Sequence, residues 1–316
     1  MCCIIPTGLA LPHNYNIALH NWELSINVRL PLKMESREKY SKDTYYVLGQ
    51  TISHEEDLLH EFKGHRNISI HDIPSHALAS AGAKERTRNA VSVSIGGMLN
   101  SGHGGTIYLG VADNGQVKGM TLTRYQKDHI EVSLSWTLGR YTPPVPESRY
   151  SVIFVPVISN KNQTLPQKID EFVDPKRRSQ LHHVAQSNYC WCDTDAKARK
   201  DIGKLPMAYV VEIHVHPWEP HRFKVSTDPL DTLSSFLPPL HLTEASACFF
   251  RQSCRQLRLC LEDVRRLLVH RVQEHYTLKV EALQNEYKAL QCLAQKHSIK
   301  ILPPVHHNTD DRGTKR

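Results

Sequence analysis

The chain has 316 residues, 40% of them apolar and 7% aromatic, so it holds enough hydrophobic mass for one large folded domain or two modest ones and is not a disordered tract. A formal charge of +7, with 20 histidines besides, suits a polyanionic partner but is too mild to specify one. Eight cysteines scattered over this length exclude a small disulfide-stapled secreted scaffold. No apolar run reaches the roughly 18 residues of a membrane span, and Met1-Cys2-Cys3-Ile4-Ile5-Pro6 has neither a basic start nor a long apolar core. A cytoplasmic or nuclear location without membrane contact is therefore expected.

In chain order, Trp22 to Leu32 alternates Leu24, Ile26, Val28 and Leu30 with polar residues and predicts a strand in an N-terminal extension, 1–49. A charged loop follows from Met34 to Thr44. The run His54-Glu55-Glu56-Asp57 then precedes Leu58-Leu59-His60-Glu61-Phe62-Lys63. Neither a helix nor a strand aligns residues five apart, so Glu56 and Glu61 converge only if Glu56 folds back from a turn onto the strand of Glu61. Otherwise this is a solvated acidic first turn of a helix.

Val91, Ile95, Met98 and Leu99 fall on one helical face, and Gly102, Gly104 and Gly105 can end that helix. Thr106 to Val111 predicts a buried strand. Asn114-Gly115 predicts a type I′ turn into Gln116 to Met120, which sets Asp113 at a strand end. Asp113 is then either a turn residue or a carboxylate facing a ligand. The glycine-rich turn lacks the Gly-Lys-Ser/Thr ending of a phosphate-binding loop.

These three motifs, Glu56-x4-Glu61-Phe62-Lys63, a helix ending Asn100-Ser101, and Gly104-Gly105 through Gly110-Val111 with Asp113 beyond, together resemble the Schlafen AlbA-type domain over roughly residues 50 to 220. Two departures are His103, which lengthens the glycine turn, and the His/Ser-rich stretch from Gly64 to Ala83. The resemblance implies an α/β fold: an AlbA-like mixed sheet with flanking helices, here with a helical C-terminal extension. It also implies a metal-dependent endoribonuclease for structured RNA, tRNA or a small-RNA precursor, with Glu56, Glu61 and Asp113 as the catalytic carboxylates. Three carboxylates suit Mg²⁺ or Mn²⁺, and Lys63 would offset phosphate charge. The alternatives are a non-catalytic nucleic-acid-binding or scaffold subunit, or an ATP-binding regulatory domain.

Ile130, Val132, Leu134, Trp136 and Leu138 alternate as in a strand, whereas the resemblance places a helix before Pro143-Pro144; the helix is taken. Tyr150 to Ile158 and Ala208 to His216 predict strands. Between them, 160–204 is a polar insert in which Lys176, Arg177 and Arg178 are either a solvated loop or contacts to phosphate. Cys190-Trp191-Cys192 and His214-Val215-His216, each read as strand i, i+2 pairs, could supply a Cys₂His₂ zinc set. The alternative is that His214 and His216 are the polar face of a half-exposed strand; the resemblance to Schlafens, many of which carry a structural zinc of His and Cys pairs in this region, sets the metal level with it.

The AlbA-like domain is expected over 50–225 and a Pro-containing linker over 226–242. A helical extension is expected over 243–302 and a disordered tail over 303–316. Along the extension an apolar stripe runs from Leu257 through Leu268, Tyr276, Leu283 and Leu290 to Ala294, with too many four-residue steps for a strict heptad. A single lobe offers half of a duplex-sized groove, so the expected partners are RNA and either a second copy or another Schlafen-like chain docked through this helix.

Overall fold

A computed structural model describes residues 44–73, 77, 88–159, 173–185, 190–204, 206–219 and 237–296. The expected strand at Trp22 to Leu32 and the tail at 303–316 lie outside the described residues. Six strands form one mixed sheet: β1 (Tyr46–Val47), β2 (His60–Lys63), β3 (Gly105–Leu109), β4 (Met120–Thr121), β5 (Tyr150–Ile158) and β6 (Ala208–Val215). The order is β1-β5-β6-β3-β2, with β4 also paired to β6. β2 runs parallel to β3, pairing His60 with Thr106 and Lys63 with Leu109, while β3 and β5 both run antiparallel to β6. The carboxyl ends of β2 and β3 thus lie side by side. In open sheets with parallel strands, ligands gather outside those ends.

Helices α1 (Val91–Ser101) and α2 (Arg124–Gly139) cover one face of the sheet. Val91, Ile95, Met98 and Leu99 of α1, and Ile130, Leu134 and Leu138 of α2, pack there with Ile107, Leu109, Val211 and Ile213. Phe62, Tyr108, Val111, Val117 and Val210 form the core of the other face. α2 forms despite the alternating pattern because Ile130, Leu134 and Leu138 are also four apart, and a Thr123/Gln126 capping box satisfies its first amides. The stripe at four-residue spacing is the one the sheet buries.

α1 ends where expected, at Gly102 with φ 82°. The next two glycines make close contacts that a side chain would block. A Cβ on Gly104 would lie 2.3 Å from the Val215 carbonyl oxygen, and one on Gly105 would lie 2.6 Å from that of Leu59. The turn after β3 differs from the expected type I′. Gly115 alone in it has positive φ, its N–H donates to the Ala112 carbonyl at 2.8 Å, and Ala112 N–H donates to Gln116 at 3.0 Å. This is a three-residue loop with a left-handed glycine bulge.

Two parts of the insert are ordered helices, α3 (Pro175–Arg178) and α4 (Trp191–Asp201), with α4 packed on α2. The boundary of the C-terminal extension needs correction. Residues 243–259 are not helical: β7 (Cys248–Gln252) and β8 (Arg255–Leu259) form a hairpin packed on α1. The contact is so close that a Cβ on Gly97 would lie 2.0 Å from Gln256 Oε1. Asn100, buried at the end of α1, donates to the carbonyls of His241 (2.9 Å) and Phe249 (2.8 Å) and accepts from His241 N–H (2.7 Å). The expected linker therefore ends inside the domain.

The long helix α5 (Leu261–Lys296) has no buried residue. Its first half is held by Arg271, which donates to the Asn100 carbonyl and lies over the Phe250 ring. Among the described residues, no helix is long and apolar enough to cross a membrane.

Candidate functional site: carboxylates at the ends of two parallel strands

Glu56 folds back as its spacing required. It lies in a bend before β2, and its Oε1 accepts the Phe62 backbone N–H at 2.9 Å, which brings it alongside Glu61. The acidic run is not a helical first turn. Asp57 instead caps a turn, accepting the N–H groups of Leu59 (2.7 Å) and His60 (2.8 Å). Asp113 is exposed in the loop beyond β3. Burial raises the Glu56 carboxyl above the ordinary carboxylate range; the Phe62 N–H and Lys63 pull it back, while Glu61 and Asp113 push it up again. The charges of Glu61 and Asp113 thus act on Glu56 together with burial, and all three disfavour its ionised form.

Glu61 is the most engaged of the three. Its Oε1 accepts from Lys63 Nζ at 2.5 Å and Ser94 Oγ at 3.0 Å, and its Oε2 pairs with the Arg251 guanidinium. Burial works against its charge, yet Lys63 and Arg251 outweigh that and hold the carboxyl below the usual range. Arg251 is fully buried and also donates to the carbonyls of Asp57, Leu58 and His60 (2.7 Å for the last). It therefore fixes the turn between the two glutamates. Carboxylate oxygens have two lone pairs each and are the ligand type a hard cation takes, but both oxygens of Glu61 already accept hydrogen bonds. The carboxylates are not among the described groups whose ligand atoms all lie within 4.8 Å of one another.

Just past β2, His65 accepts the Asn67 N–H on Nδ1 at 3.2 Å. Burial, then Lys63 and Arg88, lower its pKa to about 4, against the opposing pull of Asp113 and the Asn89 backbone. It stands neutral beside the carboxylates. In the glycine-rich turn, Gly104 and Gly105 leave no room for a side chain.

A second cluster joins α2 to the insert. The ligand atoms of His129, His182, Cys190 and Cys192 all lie within 4.8 Å of one another. Cys190 Sγ lies 3.5 Å from His182 Nδ1, and Cys192 Sγ lies 3.5 Å from His129 Nδ1. Zn–S and Zn–N bonds of about 2.3 and 2.05 Å in a tetrahedron put S and N about 3.5 Å apart. The set therefore fits a closed structural zinc site. The neighbouring Cys192 sulfur, with help from both histidines, draws the Cys190 thiol down, and that same contact followed by burial pushes Cys192 up. Both thiolates together need a cation. Tyr125 and Trp191 shield the cluster, with Trp191 stacked on His182 at 5.1 Å.

This corrects the expected Cys₂His₂ set. Cys190 and Cys192 are not on a strand: Cys190 caps α4 and Cys192 is in its first turn. His214 is held on the sheet, 3.0 Å from Thr106 Oγ1 and 3.0 Å from Glu212 Oε2. His216 continues past β6, where its N–H donates to the Arg149 carbonyl at 2.9 Å. The basic residues of the insert stay at the surface. Arg178 pairs with Asp128 at 2.9 Å and Arg177 pairs with Asp195, whereas Lys176 is exposed.

A family model described as Schlafen, AlbA_2 matches residues 60–252. The chain belongs to this family. Its match ends at Gln252, the last residue of β7, so Arg251 falls inside the Schlafen domain rather than in an extension. Membership carries a nucleic-acid-related role. Of the residues expected at the site, Glu56 and Lys63 are brought to the strand of Glu61, whereas Asp113 lies in the loop beyond β3, outside any shared cluster of ligand atoms among the described residues. Sequence reasoning missed Arg251, Ser94, His129 and His182. The one available signal was the pairing of Cys-x-Cys with nearby histidines, and it does not choose among 20 of them.

Proposed function

We propose that this Schlafen protein is a metal-dependent endoribonuclease acting on structured RNA such as a tRNA or a small-RNA precursor. The observation that carries the reading is that Glu56 folds back onto the strand of Glu61, its Oε1 accepting the Phe62 N–H at 2.9 Å, with Asp113 in the loop that follows the parallel neighbour β3. Mg²⁺ or Mn²⁺ bound there would polarise a phosphodiester oxygen and lower the pKa of a bound water. Glu56 and Asp113 would hold the ion. Glu61 keeps Lys63 in place, and Lys63 would face a phosphate oxygen. Zinc at His129, His182, Cys190 and Cys192 would be structural, tying the insert to α2. The six described cysteines are free, which suits the cytoplasm or nucleus.

The same reading includes a second copy of the chain across α5. Tyr276, Val280, Leu283, Tyr287 and Leu290 stand exposed along it, and an uncovered apolar stripe of that length is a liability. Paired antiparallel, with Val280 opposite Leu283 of the other copy, the helices would set Lys279 beside Glu286 twice, whereas parallel pairing sets both charges beside glutamines.

A second reading is favoured by the full engagement of Glu61 by Arg251, Lys63 and Ser94: a nucleic-acid-binding subunit that keeps the fold without cleaving. Cleavage of a labelled tRNA pool in Mn²⁺ by wild type and Glu56→Gln separates the two. The nuclease reading expects loss of cleavage with RNA affinity retained. No cleavage by wild type that still binds RNA would support the second.

A further inference from the structure

A cleft of about 600 Å³ lies between the exit of β2, β4 and the starts of α2 and α4. That is within the size range of small-ligand sites. Its lining includes His65, Arg66, Asp72, Arg88, His129 and Asp193, so it reaches the Cys/His cluster through His129 and begins two residues beyond Lys63 of β2. His65, on its wall, lies within electrostatic reach of both Lys63 and Asp113.

Arg66 is the feature that points to a ligand. One terminal nitrogen pairs with Asp193, which also accepts from Gln126 Nε2 at 2.6 Å, so that carboxylate is already served. The other, Nη1, is buried and has no hydrogen-bond partner. An unsatisfied buried donor costs about 1–3 kcal/mol, more when charged, and a guanidinium held by one side is pre-oriented to take an anion on the other. Arg88 adds a second cation to the same cleft.

We propose that this cleft takes a phosphate of the RNA strand next to the one at the carboxylates, with Arg66 Nη1 and Arg88 as its donors. The proposal rests on the RNA-directed reading above. It gives the chain a sequence-independent contact that fixes the strand's register, as backbone contacts do.

The test measures anisotropy of a short fluorescein-labelled single-stranded RNA against the full chain carrying Glu56→Gln, across a salt series. Adding Arg66→Gln should weaken binding about tenfold, the scale of one hydrogen bond to a charged group. It should also reduce the salt slope by about 0.7, the value for one phosphate contact on a single strand. Asp193→Asn breaks the same ion pair but leaves the guanidinium, so it should keep both affinity and slope. Equal losses in Arg66→Gln and Asp193→Asn, or an unchanged slope in Arg66→Gln, would overturn the proposal. Because binding is read without cleavage, a wild type that fails to cleave sinks only the nuclease reading, while an unchanged Arg66→Gln slope in a cleaving protein sinks only the cleft.

Discussion

The guanidinium of Arg251, on a hairpin near the end of the domain, is paired with the carboxylate of Glu61 on β2, 190 residues earlier in the chain. The pair is desolvated on both sides, with Arg251 at 0% and Glu61 at 6% side-chain exposure. Removing one partner of such a pair leaves a buried charge, which costs about 3–5 kcal/mol. Arg251→Ala should therefore lower the melting temperature sharply, and Arg251→Ala with Glu61→Gln should recover part of the loss. Denaturant unfolding of the double-mutant cycle measures the coupling; additive losses would mean that the ion pair contributes nothing beyond packing.

The Cys/His cluster makes a metal prediction that separates it from the set expected from sequence. Cys192→Ser or His129→Ala should release zinc and destabilise the chain, because binding free energy at a structural site is folding free energy. His214→Ala should keep about one zinc per chain. Elemental analysis after gel filtration without chelator reads both; zinc lost with His214→Ala and kept with His129→Ala would reverse the assignment.

Association through α5 has a charge-reversal test. Lys279→Glu places like charges beside Glu286 of the other copy and should weaken the dimer, while Lys279→Glu with Glu286→Lys should restore it. Light scattering on the full chain reads the mass. A monomeric wild type at micromolar concentration, or a double reversal that restores nothing, would remove the antiparallel pairing.

Acid should destabilise the fold through His241. Its Nδ1–H donates to the Pro143 carbonyl at 2.7 Å, the Tyr141 ring stands 6.5 Å away, and Nε2 is buried without a partner. Burial first, then Arg149, lower its pKa below the ordinary 6.5. The unfolded chain then takes up the proton first, so stability is full above about pH 6.5 and falls as pH drops from there towards the folded value. Melting temperatures between pH 7.5 and 5.5 should decline more steeply in wild type than in His241→Gln; parallel curves would place the titration elsewhere.

Much of the domain could be read from local pattern. α1, its glycine stop, β5 and β6 follow from helical spacing, from left-handed glycines and from continuous apolar runs, all of which are short-range signals. Glu56 and Glu61 were legible because a five-residue step admits convergence only through a turn. What escaped is long-range. Cys248 to Leu259 lies next to a helical stripe and carries no turn glycine, since Ser253 takes the positive φ of 53° itself, so the hairpin merged with α5. Arg251 is one of 39 cations, and only the fold brings it to Glu61. Cys-x-Cys suggests a strand because i, i+2 neighbours share a strand face, but a helix start brings the same two sulfurs together.

The central claim is that Glu56, Glu61 and Asp113 act with a divalent cation to cut RNA, and the single-turnover rate of tRNA cleavage as a function of Mn²⁺ tests it most directly. Wild type should show no cleavage without a divalent cation and a saturable rise with it. Asp113→Asn should lower the saturated rate at least about 100-fold, the scale of losing one fixed charge contact to a transition state, with RNA affinity and melting temperature nearly unchanged. A cleavage rate that is independent of Mn²⁺, or equal in Asp113→Asn and wild type, would contradict it.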